Sequence, residues 1–124
     1  MNYVRLFFTV LCIVFGVCNS YSQANSWNNK QIDSVLNSVN KYLIDSPDKA
    51  FKVSKKVHEI ALKKKYSLGC AYALLNMANC RGELRDYDEA LNYLAQSRQI
   101  AEKISNDSLL LYNDFLVTIQ KGRI

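Results

Sequence analysis

The 124-residue chain is 49 % hydrophobic and 22 % charged and carries a formal net charge of +5. That length bounds the chain to one small domain, and so mild a positive balance, without aromatic residues interleaved among the lysines, does not point to nucleic acid. One proline and four glycines leave breakers few and widely spaced, which suits a chain that is helical nearly throughout.

The first element is a targeting segment. Met1 to Arg5 carries one positive charge, and Leu6 to Val17 is an apolar run shorter than the roughly 20 residues a bilayer span needs. Small residues at Ser20 and Ser22 fit signal peptidase, so residues 1–22 are expected to form a secretory signal cut after Ser22. Lipid attachment at Cys18 is disfavoured by the bulky residues before it, and an uncleaved anchor is the other alternative. The mature chain would begin at Gln23, lie in the periplasm or be secreted, and lose one positive charge with Arg5. Residues 23–30 read as a short linker, and no later stretch is apolar enough to cross a membrane. Cys70 and Cys80 remain where disulfides are permitted. On one helix they would stand about 15 Å apart, beyond disulfide reach, so both are expected to be free and buried.

Helices follow in order. Lys30 to Ile44 places Ile32, Val35, Leu36, Val39 and Leu43 at spacings of three and four. Ser46-Pro47 opens a second helix, with serine suited to the N-cap and proline to the first position. Its stripe is Ala50, Val53, Val57, Ile60 and Ala61; Lys52, Lys56, Glu59 and Lys63 lie opposite. The run Lys63-Lys64-Lys65 closes the helix, where the dipole favours cations, and a solvated face accounts for these lysines. Tyr66 to Glu83 is apolar around most of its circumference, as befits a helix sandwiched between others. Asp86 then caps a fourth helix, with Glu89 three residues on as a capping box. Its buried stripe is Ala90, Leu94, Ser97, Ala101 and Ile104. Asn106-Asp107-Ser108 restarts the chain into a fifth helix, Leu109 to Gln120.

Ser46 to Ala61 aligns with Asp86 to Ala101 without a gap at an offset of forty residues, matching Asp48 to Asp88, Ala50 to Ala90 and Ile60 to Ile100. Helix hairpins therefore repeat. The stretch Leu74 to Ser97 resembles the tetratricopeptide repeat family: Leu74 stands for its usual bulky residue, Met77-Ala78 for its Leu-Gly pair, Ala90 for the small residue of the second helix and Leu94 for its aromatic. Arg81 replaces the customary Tyr, and Ser54 occupies the aromatic position in the first repeat. The resemblance implies an all-α solenoid of stacked antiparallel hairpins, about two and a half repeats: 31–65, 66–105, and the first helix of an incomplete third at 106–124. Packing would rest on Ala50, Leu74, Met77, Ala78, Ala90 and Leu94. Long-period repeats behind a signal peptide look like the sensor arms of envelope regulators in Gram-negative bacteria.

Matching Leu75-Asn76 to Tyr112-Asn113 lays Gly122-Arg123-Ile124 over the turn into a missing helix. The chain then reads as a fragment of a longer repeat protein, with a small free-standing protein that dimerises as the alternative. Either way, Leu109 to Gln120 is expected to self-associate through Leu110, Phe115, Leu116 and Val117.

Catalytic constellations are absent from the sequence. His58 is the sole histidine, without ligand-spaced neighbours. Neither a phosphate loop nor a nucleophile elbow occurs. The chain is expected to be a non-catalytic binding module without cofactor or metal. By the resemblance, its partner is a protein or peptide in a concave groove bearing Asn76, Asn113 and Asn37. Tyr72, Leu75, Asn79 and Glu83 share that helix face, and an asparagine amide both donates and accepts, as a peptide backbone requires. A spacer or oligomerisation element with an empty groove is the competing reading. Membrane attachment would come only through a region downstream.

Overall fold

The computed structural model describes residues 27–124; the expected signal segment, its cleavage site, Cys12 and Cys18 lie outside the described residues. Five helices follow one another: α1 (Asn29–Val39), α2 (Pro47–Lys63), α3 (Ser67–Glu83), α4 (Tyr87–Lys103) and α5 (Asp107–Arg123). No strand occurs among the described residues, and sequential helices pack as antiparallel hairpins. The result is an all-α solenoid in which α1, α3 and α5 form one layer and α2 and α4 the other.

The last four helices are each 17 residues long and begin twenty residues apart. A loop of one geometry sets that spacing. Lys65, Arg85 and Ser105 adopt left-handed backbone at φ 57°, 64° and 53°. The following amides of Tyr66, Asp86 and Asn106 donate back to Ala61, Arg81 and Ala101 at 2.9, 2.9 and 3.0 Å. These are Schellman closures, which usually take glycine at the left-handed position; a side chain there costs about 1 kcal/mol. Three such loops at a fixed interval give the array its forty-residue period.

Capping differs from expectation in detail. Asp86 accepts from the Glu89 amide at 3.4 Å, but the Glu89 side chain accepts from Tyr93 and pairs with Arg81 instead of returning to the cap. Ser46 makes no side-chain cap, so α2 starts on Pro47 alone. The full reciprocal box is at α1, between Asn28 and Gln31. That helix ends at Val39 rather than Ile44, because the amides of Lys41 and Tyr42 bond three residues back, to Ser38 and Val39, and tighten the chain out of α geometry. Tyr42 and Leu43 still pack on the cluster of Val39, Ala50 and Cys80.

Helix α3 supplies buried residues to every part of the core: Ala73 beside Ile32, Leu36, Val57 and Ile60, Cys80 beside Val39 and Ala50, and Ala71, Leu75 and Ala78 beside Leu94, Ala101, Leu109 and Leu116. Its all-round apolarity is the consequence of that central position. Leu74, Met77 and Ala90 are buried as well. Cys70 and Cys80 are free and buried, and burial pushes the Cys80 thiol up to about 11. Arg81 fills the place of an aromatic by laying its guanidinium 4.0 Å over the Phe51 ring. Its Nε lies 3.4 Å from Glu89 Oε2, close enough for an ion pair but without hydrogen-bond alignment.

Candidate functional site

A cleft of about 350 Å³ opens on the layer of α1, α3 and α5. Its walls are Asp33, Leu36 and Asn37 from α1, Asn40 just after it, Leu68, Tyr72, Leu75 and Asn76 from α3, and Tyr112 from α5. The spacings of three, four, seven and eight residues place each set on one helix face. Neither α2 nor α4 contributes to the lining. These helices instead hold the lining helices at a fixed separation from behind.

Two lining side chains are tied in place. Tyr66, which closes the α2–α3 loop, donates its hydroxyl to both carboxylate oxygens of Asp33 at 2.8 and 3.0 Å. Burial, reinforced by that carboxylate, pushes the phenol up to about 12. Asn76 Nδ2 donates to the Leu36 carbonyl at 3.1 Å, stapling α3 to α1, so its amide oxygen is the part left for a ligand. Asp33 is the one charged residue in the lining, set among three amides, two phenols and three leucines.

Of the groove residues expected from the sequence, Tyr72, Leu75 and Asn76 line this cleft. Asn79 and Glu83 do not: they sit one and two turns further along α3, and Glu83 Oε1 accepts from Arg123 at 3.3 Å. Asn113 is misplaced by the sequence reading. It is fully buried between α4 and α5, donating to the Leu109 carbonyl at 3.0 Å and towards Ser97 Oγ at 3.4 Å. The reason is register. The expectation paired Asn76 with Asn113, an offset of thirty-seven, whereas the twenty-residue loop interval pairs Tyr72 with Tyr112 and Ala73 with Asn113. Gly122 likewise falls within α5, forty residues on from Gly82, and not in a turn. Applying the forty-residue offset throughout would have found Tyr112.

The exposed apolar surface of α5 also differs from expectation. Phe115 is exposed, but Leu116 is buried, Leu110 and Val117 are half-buried, and Leu111 is the most open residue of the helix's apolar set at 72 %. Among the described residues no group of three His, Cys, Asp or Glu side chains is placed to hold a metal ion. His58 is half-buried on α2, and desolvation lowers its pKa below the usual 6.5 against a smaller opposing pull from Glu59.

The sequence pattern of the family described as tetratricopeptide repeat matches residues 41–103, about half of the chain and the span from the end of α1 to the end of α4. No curated protein and no solved structure matches the chain.

Proposed function

The chain belongs to the tetratricopeptide repeat family, and from that premise we propose that it is an exported interaction module that holds an extended segment of a partner protein in the cleft of α1, α3 and α5. Repeats of this family are generally non-catalytic scaffolds for protein contacts. The observation that carries the groove reading is the cleft itself. It is concave, open and lined by one layer of helices, with apolar floor residues and amides at its margins. A peptide backbone needs donors and acceptors in alternation. Asn37, Asn40 and the free oxygen of Asn76 supply them, while Leu36, Leu68 and Leu75 offer apolar contact to its side chains. The apolar run of residues 6–17 supports export, and export together with long-period repeats supports a place in an envelope sensor or adaptor.

Selection from a random peptide display library against the purified chain tests the groove. Selected peptides should bind with affinity reduced at least tenfold by Tyr72→Ala and unaffected by Gln96→Ala on the outer layer. Binders insensitive to Tyr72 and to Tyr112 would contradict it.

A second reading has its own observation. Leu111, Tyr112 and Phe115 are 72 %, 44 % and 59 % exposed on α5, an apolar patch of the kind that finds partners, and it supports self-association through this helix. Sedimentation separates the two readings. A chain that is monomeric at tens of micromolar and binds peptide serves the groove reading alone.

A further inference from the structure

We propose that the exposed face of α2 is a docking surface for an anionic lipid membrane. Residues 47–65 hold seven lysines, Lys49, Lys52, Lys55, Lys56, Lys63, Lys64 and Lys65, against Asp48 and Glu59. That segment therefore carries a net charge of +5, the whole formal net charge of the chain, and the remainder is balanced at nine charges of each sign. The molecule is electrically one-sided.

The helix presents this charge in one direction. At 100° per residue, the α2 lysines, the two acids and Leu62 fall within an arc of about 140°, and every residue of that arc is exposed. The opposite arc is the buried stripe, Ala50, Ser54, Val57, Ile60 and Ala61, which packs towards α1 and α3. The lysine face thus looks away from the cleft, and a peptide and a surface could be held together. None of the seven lysines is ion-paired among the described residues, where every ion pair uses an arginine. Lys49 alone has an internal partner, the Tyr42 ring at 5.3 Å.

The composition of the face selects among anionic partners. It contains no arginine, whose planar fork would match single phosphates, and no aromatic ring on which a base could stack. Lysine is depleted in protein interfaces, where arginine and aromatics are enriched. A row of exposed ammonium groups along one helix face fits a plane of diffuse negative charge, as lipid headgroups provide. Leu62, 55 % exposed among the closing lysines, gives the face an aliphatic side chain that can enter the headgroup layer. Among the described residues no helix is long and apolar enough to cross a membrane, and the proposed contact uses only the exposed face of α2.

Co-sedimentation of the full chain with vesicles tests the proposal, comparing phosphatidylcholine alone with phosphatidylcholine containing one quarter phosphatidylglycerol. Neutral vesicles report any attachment through apolar segments. Binding should strongly favour the anionic vesicles and weaken steeply as salt is raised above about 0.1 M. Each lysine near such a surface is worth roughly fivefold, so Lys52→Gln/Lys55→Gln/Lys56→Gln should weaken binding on the order of a hundredfold, with helicity unchanged. Lys30→Gln/Lys103→Gln/Lys121→Gln removes the same charge elsewhere and should have a much smaller effect. Equal binding to both vesicles, equal loss in the two triple variants, or tighter binding to duplex DNA at matched phosphate concentration would overturn it. None of these results bears on the cleft, whose ligand is read by the Tyr72 variant.

Discussion

The junction of α2 with α3 and the junction of α4 with α5 use the same helix length, the same loop and the same register, yet they are filled with opposite chemistry. In the first, Val57 and Ala73 meet within an apolar cluster with Ile32, Leu36 and Ile60. Forty residues on, the same two positions are Ser97 and Asn113. Ser97 Oγ donates to the Ala71 carbonyl at 3.0 Å, and Asn113 donates towards Ser97. Asn113 Oδ1 and, two turns later, Gln120 Oε1 are buried without a partner. The Gln120 amide rests in the space beside Gly82 that a Cβ there would occupy, within 2.6 Å of it. A repeated frame therefore does not imply repeated stability. Each buried carbonyl oxygen left unpaired costs about 1–3 kcal/mol; α5 holds two such atoms and α2 one buried unpartnered hydroxyl, Ser54 Oγ, so α5, which carries Tyr112 into the cleft, is expected to be the less firmly held.

The comparison can be broken most forcefully by placing the polar residue in the apolar junction. Ala73→Asn sets an amide among Ile32, Leu36, Val57 and Ile60. It should lose about 3 kcal/mol or more, from an unpaired buried amide and overpacking together, read as a fall in denaturant midpoint. Next in size is Ala90→Phe. Ala90 and its counterpart Ala50 are fully buried, and overpacking either should cost about 1–3 kcal/mol, with Lys56→Ala on the open face within about 0.5 kcal/mol of wild type. Similar melting shifts for Ala90→Phe and Lys56→Ala would show that the hairpins do not share the frame.

Asn113→Ala should cost less, about 1 kcal/mol or under, because the substitution removes an unpaired oxygen along with two hydrogen bonds. The smallest effect concerns pH. His58 in the first hairpin corresponds to Arg98 in the second, which pairs with Glu102 and Asp114. Burial lowers the His58 pKa from 6.5, so the unfolded chain binds more protons than the folded one between the folded value and 6.5. Stability should rise with pH through that window and be lost as pH falls through it. His58→Gln should flatten this part of the profile in paired denaturation curves.

The apolar stripes of α2 and α4, the all-round apolarity of α3 and the cap at Asp86 are legible because each is a local pattern, although Ile104, at the end of the expected α4 stripe, is exposed. The loop geometry was not. Lys65, Arg85 and Ser105 occupy positions that glycine usually marks, so nothing local announces the twenty-residue interval, and the sequence reading sets α5 three residues out of register. That one error sent Asn113 to the groove and hid Tyr112. Two polar side chains of the cleft are set by distant pairs, Asp33 with Tyr66 and Asn76 with Leu36, that no periodicity announces. Leu75, by contrast, lay on a helix face that spacing alone defined.

One forty-residue frame, filled two ways, makes α5 the less firmly held wall of the cleft. Residue-resolved hydrogen exchange under native conditions tests it most directly, on the wild-type chain and on Ser97→Val/Asn113→Ala, which copies the first junction onto the second. Wild-type α5 amides should be less protected than those of α3, and the double substitution should narrow the difference. Protection of α5 equal to that of α3 in the wild type, or a gap that the substitutions leave unchanged, would contradict it.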